Sequence, residues 1–263
     1  MDTIAITTRD LLIAAALVGA LAWITYLQGM RLARSLLIAS LRTAVQLTLV
    51  GMVLRLVFAH TGPGWVMIMA LVMLLVAGRE VMARQSNRFR GWWGYGLGTL
   101  TMFLSSFTVT LVTLTVIIGP EPWYAPRYAV PLLGMILGNT MTGVALALDS
   151  LGRLAREQRP AIEARLMLGR DSWLAIQEIR RQCVHIGLIP VINAMAAAGI
   201  VSLPGMMTGQ ILAGNPPMEA VKYQILIMFL IASGSGFGIL AAVWLGGRHL
   251  FDHRERLRLD RLT

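Results

Sequence analysis

A few polar side chains sit inside long apolar runs, and these are the residues that could act on a solute. Arg42 lies about eight residues into one run, roughly 12 Å deep at the helical rise. Gln46 follows one turn later on the same face. Ionisable groups inside a bilayer are costly and by default mark a pathway. Two readings of the pair stand here: the wall or gate of a polar cavity, or a snorkelling Arg42 with Gln46 bonded between helices. Arg55, nearer the end of its run, reads as a snorkeller. Asn139 sits among the thioethers of Met135 and Met141, and Met206 and Met207 follow Pro204-Gly205. The sixteen methionines include groups that suit a soft ion such as Cu(I). Methionine also fills helix bundles, and no hard-ligand cluster for iron stands out, so metal ligands stay unassigned. His60 and His185 are isolated; His249 and His253 are i,i+4, a spacing that fits a metal pair or a solvated face. No carboxylate lies mid-run, because Glu80, Asp149 and Glu219 are at run edges. That counts against a proton-coupled carrier, and no His, Asp or Glu constellation suits a membrane enzyme.

The elements that position these residues are apolar. The chain has 263 residues, 56% hydrophobic and 14% charged, where a soluble domain has about 25% charged. Mean hydropathy is +0.68. The fold class expected is all-α: a polytopic transmembrane bundle forming one permease domain over 1–263. Seven spans of the required ~20 residues read at about 11–27, 35–59, 65–82, 93–118, 128–148, 185–203 and 222–245. The third is the weakest. Gly62-Pro63-Gly64, Gly119-Pro120-Glu121-Pro122 and Asn215-Pro216-Pro217 separate them. Arginine concentrates in alternate connections: two in 28–35, four in 79–91, seven in 150–183 and five in 247–263, against only Arg9 and Arg127 in the others. The positive-inside rule then predicts an outside N-terminus and a cytoplasmic C-terminus, in a bacterial inner membrane. The net charge of +10 is spread between spans, which argues against a nucleic-acid partner. A lone Cys183 excludes a disulfide framework and reads as a packed small side chain. The start of the chain lacks the basic region of a cleaved signal peptide.

The one long polar stretch is 149–185. Proline at 160 interrupts a helix or begins a second piece. Gly169 fits a C′ position, and Asp171 or Ser172 caps a helix running through Trp173, Ile176, Ile179 and Val184. Glu163-Ala164-Arg165, three residues, then Gly169 resembles the Glu-Ala-Ala-xxx-Gly loop by which ABC importer permeases dock on their ATPases. Ile189-Pro190 resembles the end of that motif, about eight residues late. An amphipathic solvated loop is the other reading. If 150–183 is the coupling segment, Glu163, Leu166 and Gly169 are its contact residues. Ile162, Leu166 and Met167 would then form an apolar stripe for the partner. Gly134, Gly138 and Thr142 recur every four residues and predict close helix approach. Ser233-Gly234-Ser235-Gly236 repeats that pattern. Pro204-Gly205 should break the sixth span near its outer end, and a broken helix at membrane depth usually lines a cavity. Residues 206–214 then form a short re-entrant or surface helix.

Arg42-Thr43-Ala44-Val45-Gln46-Leu47, Pro131 with Gly134-Met135 and Gly138-Asn139, Glu163 with Leu168-Gly169, Ile189-Pro190, Lys222-Tyr223-Gln224 and above all the run 199–214 resemble the FetB-type permeases. The resemblance spans nearly the whole chain. It implies the membrane subunit of an ABC transporter exporting iron or another metal; plant relatives are tied to aluminium tolerance. The family pattern carries an aspartate at Asn193 and a lysine at Ala196, and both charges are missing here. Losing both members of a buried pair can be nearly neutral, so the fold transfers more securely than the substrate. The implied path residues are Arg42, Gln46, Met135, Asn139, Asn193, Met206 and Met207. A P-loop needs Gly-Lys, and the only lysine, Lys222, follows Val221. ATP and Mg therefore belong to a separate ATPase subunit and no cofactor to this chain, with a permease homodimer expected. The alternative is an ATP-independent channel or secondary carrier for a small solute.

Overall fold

The structure, a computed structural model, describes residues 7–30, 32–59 and 62–263, without the side chains of 56–59. Arg31 and His60 lie outside the described residues. Ten helices are described: α1 Thr8–Leu27, α2 Ala33–Ala59, α3 Pro63–Ala83, α4 Trp92–Ile118, α5 Pro126–Glu157, α6 Arg159–Met167, α7 Ser172–Ala175, α8 Gln177–Ala197, α9 Gly205–Leu212 and α10 Pro217–His249. Proline stands in the first turn of α3, α5, α6 and α10, where its missing N–H leaves no bond unmade.

Six helices, α1 to α5 and α10, are long and apolar enough to cross a membrane. The third span, weakest in sequence, is among them. The span expected at 185–203 is not. It forms the second half of α8, whose first turns carry Gln177, Glu178, Arg180 and Arg181. The predicted break at Pro204-Gly205 comes earlier: α8 stops at Ala197, and Gly199 adopts a φ of 83°. A tight turn then returns Ser202 O to the Gly199 amide. Glycine takes that backbone conformation without the Cβ clash other residues meet. The short helix expected within 206–214 is α9.

The described chain divides into two units. One comprises Met1–Thr61 with Leu212–Gly214, and the other Gly62–Ile211 with Asn215–Thr263. In the first, α1 and α2 form a hairpin whose turn is a Schellman motif at Gly29, with Met30 N–H on Thr25 O and Gly29 N–H on Tyr26 O. Ala22 is the one buried side chain described on α1, and α2 has none.

The second unit is built on α5. Its core has two clusters. One holds Leu148, Leu151, Ile162, Ile179, Cys183 and Leu250 among others. The second, towards the other end of α5, gathers Leu114, Leu132, Val191 and Ile227. Gly138, expected at a close helix approach, has open space where a Cβ would be, whereas one on Gly134 would meet Met73 at 3.1 Å; α5 and α8 come close at Gly143 and Gly187.

Candidate substrate path and coupling face

Three faces of α5 do different things. On the first, α5 crosses α8 where a Cβ on Gly143 would lie 2.9 Å from Gly187 O. On the second, α10 packs in parallel: a Cβ on Gly234 would meet Ile136 at 2.6 Å, and one on Gly238 would meet Thr140 at 2.6 Å and Ser105 Oγ at 2.8 Å. Glycine lets these backbones approach closely enough to bury hydroxyls between them. Ser105, Ser106, Thr140 and Ser235 are all buried there, with Ser106 Oγ donating to Thr140 Oγ1 at 3.5 Å. The Ser235 hydroxyl is buried without a partner. Ser105 and Ser106 come from a π-helical turn, Phe103–Phe107, within α4. Such turns recur at functional sites because they leave the α-helical bond ladder incomplete. This hydroxyl seam was missed in sequence; the signal was the pairing of Ser105-Ser106 with Ser233 and Ser235 in mid-run.

The third face stays open and carries the expected path residues. Gly138 and Asn139 are exposed, with Met135 and Thr142 half-buried. The Asn139 amide donates to Met135 O at 2.8 Å, and Arg84 Nη1 reaches Thr142 Oγ1 at 3.4 Å. Asn193 and Ala196 are exposed on α8. Asn139 precedes its crossing glycine by four residues and Asn193 follows its own by six, in antiparallel helices, so they lie roughly 6 and 9 Å from the crossing on the same side. Met206 packs on the second core cluster and Met207 is half-buried. Arg42 and Gln46 stand exposed on α2, in the other unit. Among the described residues, no group of three His, Cys, Asp or Glu could hold a metal. His249 and His253 do not form an i,i+4 pair on one helix, because α10 ends at His249. His249 instead stacks on Trp93, 4.3 Å between centroids.

In the second unit, the three arginine-rich connections fold into one layer. Asp149 Oδ1 accepts from the Ser86 and Asn87 amides at 2.6 and 3.3 Å, fixing the turn after α3 to α5. The tail returns to the same turn: Arg90 N–H donates to Arg261 O and Thr263 N–H to Arg88 O. Asp252, with a side chain only 4% exposed, accepts from the Arg254 and Arg256 amides and pairs with Arg256. These bonds hold its carboxyl well below the usual carboxylate range.

Within this layer α6 and α7 make an elbow. Arg159 opens α6 after α5 ends at Glu157, so Pro160 begins a new helix. Gly169, at φ 81°, closes α6 in a Schellman motif, with Arg170 N–H on Arg165 O and Gly169 N–H on Leu166 O. Asp171 caps α7 by accepting from Leu174 N–H at 2.7 Å. Both devices were legible in sequence. The predicted apolar stripe was not correct. Ile162 is 0% exposed and Leu166 packs against the main core, so both point inward. Met167 and Leu168 are the exposed pair, at 83% and 82%. The helical period puts Ile162 and Leu166 on one face, four apart, and Met167 falls about 100° round from Leu166. Arg165 Nη1 donates to Ala175 O at 2.8 Å and braces the elbow from inside.

A family model described as an uncharacterised protein family, UPF0014, matches residues 8–251. The chain belongs to the UPF0014 family. The UPF0014 match takes in all ten helices and stops before the returning tail. The chain is 39% identical to a UPF0014 membrane protein of Synechocystis, with 92% of each chain covered. It is 32% identical to the protein ALUMINUM SENSITIVE 3 of Arabidopsis thaliana, covering 93% of this chain and 88% of the relative. It is 29% identical to the probable iron export permease protein FetB of Escherichia coli, covering 100% and 99%. No solved structure matches. As a UPF0014 member with six helices fit to cross a membrane, the chain is an integral membrane protein.

Proposed function

We propose that this chain is the membrane-spanning permease subunit of an ABC transporter that exports iron or another metal ion. It is a transport subunit and not an enzyme; ATP and Mg act on a separate ATPase. Two ATPase subunits working together call for a permease homodimer. The metal reading rests on the full-length relation to FetB. Seven crossings, with α8 completing the set, put the N-terminus outside and the arginine-rich layer in the cytoplasm. The membrane is then the bacterial inner membrane.

The observation that carries the ATPase reading is the elbow. Its base is anchored by Ile162, Arg165 and Asp171, while its tip presents Met167 and Leu168 to water. An exposed apolar pair on a rigid turn is what a groove on a partner can grip and push. Transported ions would pass along accessible amides, hydroxyls and thioethers of the second unit (Asn139, Thr142, Met135, Asn193), with Met206 and Met207 contributing from α9. The test is co-purification of an ATP-binding-cassette subunit with the solubilised chain, together with metal efflux from cells. Loss of both in a Met167→Ala/Leu168→Ala variant is expected. Unchanged efflux in that variant would refute the proposal.

A further inference from the structure

A cleft of about 760 Å³ opens between the start of α8 and the end of α10, in the arginine-rich half of the second unit. Arg180, Arg181 and His185 line its upper part, and Leu188, Leu240 and Trp244 line the rest. No carboxylate lines it. The Arg180 guanidinium lies 3.2 Å from the Trp173 ring centroid and donates one Nη2 bond to Trp173 O, while its Nε is buried with no acceptor. A buried guanidinium donor without a partner is costly and is normally satisfied by something. Arg181 has only a 3.8 Å approach to Glu178, with both side chains about 70% exposed, a pairing of little worth.

We infer that this cleft binds an anionic phospholipid, with the headgroup phosphate on Arg180 and Arg181 and an acyl chain along Leu188 and Leu240. Guanidinium forks match phosphate oxygens, and both arginines line the cleft. The apolar wall leads away from the arginines: Leu188 lies two turns beyond Arg181 on α8, and Leu240 one turn before Trp244 on α10. A free phosphate would use the charges and leave that wall wet; a lipid uses both. Trp244 stands between the two zones, the usual place of an indole at a membrane interface. Arg248, whose guanidinium lies 4.2 Å from the Trp244 ring centroid, extends the positive field on the same side. The inference requires only that the chain sits in a membrane and is independent of the transport reading.

The test uses the full-length protein in a neutral detergent. It is titrated with dioctanoyl phosphatidylglycerol, dioctanoyl phosphatidylcholine or inorganic phosphate. Thermal unfolding is followed, and native mass spectrometry counts bound lipid. The expected result is a saturable rise in unfolding temperature and a one-to-one adduct with phosphatidylglycerol alone. Arg181→Gln should weaken that binding about fivefold, from the ~1 kcal/mol each basic residue contributes near an anionic surface. Arg254→Gln, outside the cleft, should leave it unchanged. Arg180→Gln should weaken it further; if that protein fails to fold, Arg181→Gln decides alone. Equal responses to both lipids, an equal response to inorganic phosphate, or wild-type binding by Arg181→Gln would each overturn the inference.

Discussion

The elbow tip gives the sharpest test of coupling, because fold and contact are carried by different residues on one nine-residue helix and its C-cap. Met167 and Leu168 lose nothing inside the chain when truncated, since both are more than four-fifths exposed. Substituting both with alanine should move the unfolding free energy by no more than about 0.5 kcal/mol, the usual range for surface changes. In a partner's groove the same side chains are buried. Full burial of a Leu or Met side chain contributes about 1.5–3 kcal/mol, and interface ordering consumes part of it. A net loss of about 2 kcal/mol remains, or roughly thirtyfold in ATPase affinity. Ile162→Ala is the mirror image. It empties a fully buried site and should cost about 2–5 kcal/mol of stability, with coupling lost only as the protein unfolds. The assay pairs thermal unfolding of the purified chain with titration of the ATPase against it, read as stimulated ATP hydrolysis. The reasoning is refuted if Met167→Ala/Leu168→Ala binds and stimulates the ATPase like wild type while remaining folded. Leu166→Arg is a poor probe, because it drives a charge into the core cluster and should unfold the elbow.

Gly143→Leu should abolish stable folding in detergent, because its Cβ would meet the Gly187 carbonyl and no side-chain motion relieves a backbone contact; Gly138→Ala should shift the unfolding temperature hardly at all. Restoring Asn193→Asp together with Ala196→Lys should be tolerated better than Asn193→Asp alone, judged by yield of folded protein, since three-residue spacing lets the two charges pair; equal loss in single and double variants would count against it. Asp252 has a depressed pKa in the folded chain, so its stabilisation is full above the ordinary carboxylate range near pH 4 and fades as pH falls below it towards the folded value. Asp252→Asn should therefore lower the unfolding temperature at neutral pH, and the difference from wild type should narrow as pH falls below about 4.

Local signals were enough to place most helices, the turn at Gly169, the cap at Asp171 and six of the seven expected membrane-spanning runs. Each depends on residues within a few positions: a proline without its N–H, a glycine free to take positive φ, or twenty apolar residues in sequence. The wide arginine bias was equally legible, because it is a property of whole connections. What packs against what was not. Gly138 and Gly143 look alike in sequence, but the second faces Gly187 and the first faces open space. Ile162, Leu166, Met167 and Leu168 are all apolar, so composition could not say which pair points inward; the packing of α6 on the core decided it. The early end of α8 at Ala197, the hydroxyl seam between α4, α5 and α10, and the return of Thr263 to Arg88 join positions far apart in the chain. Their partners are set by how close two backbones can come, which no single stretch of sequence encodes.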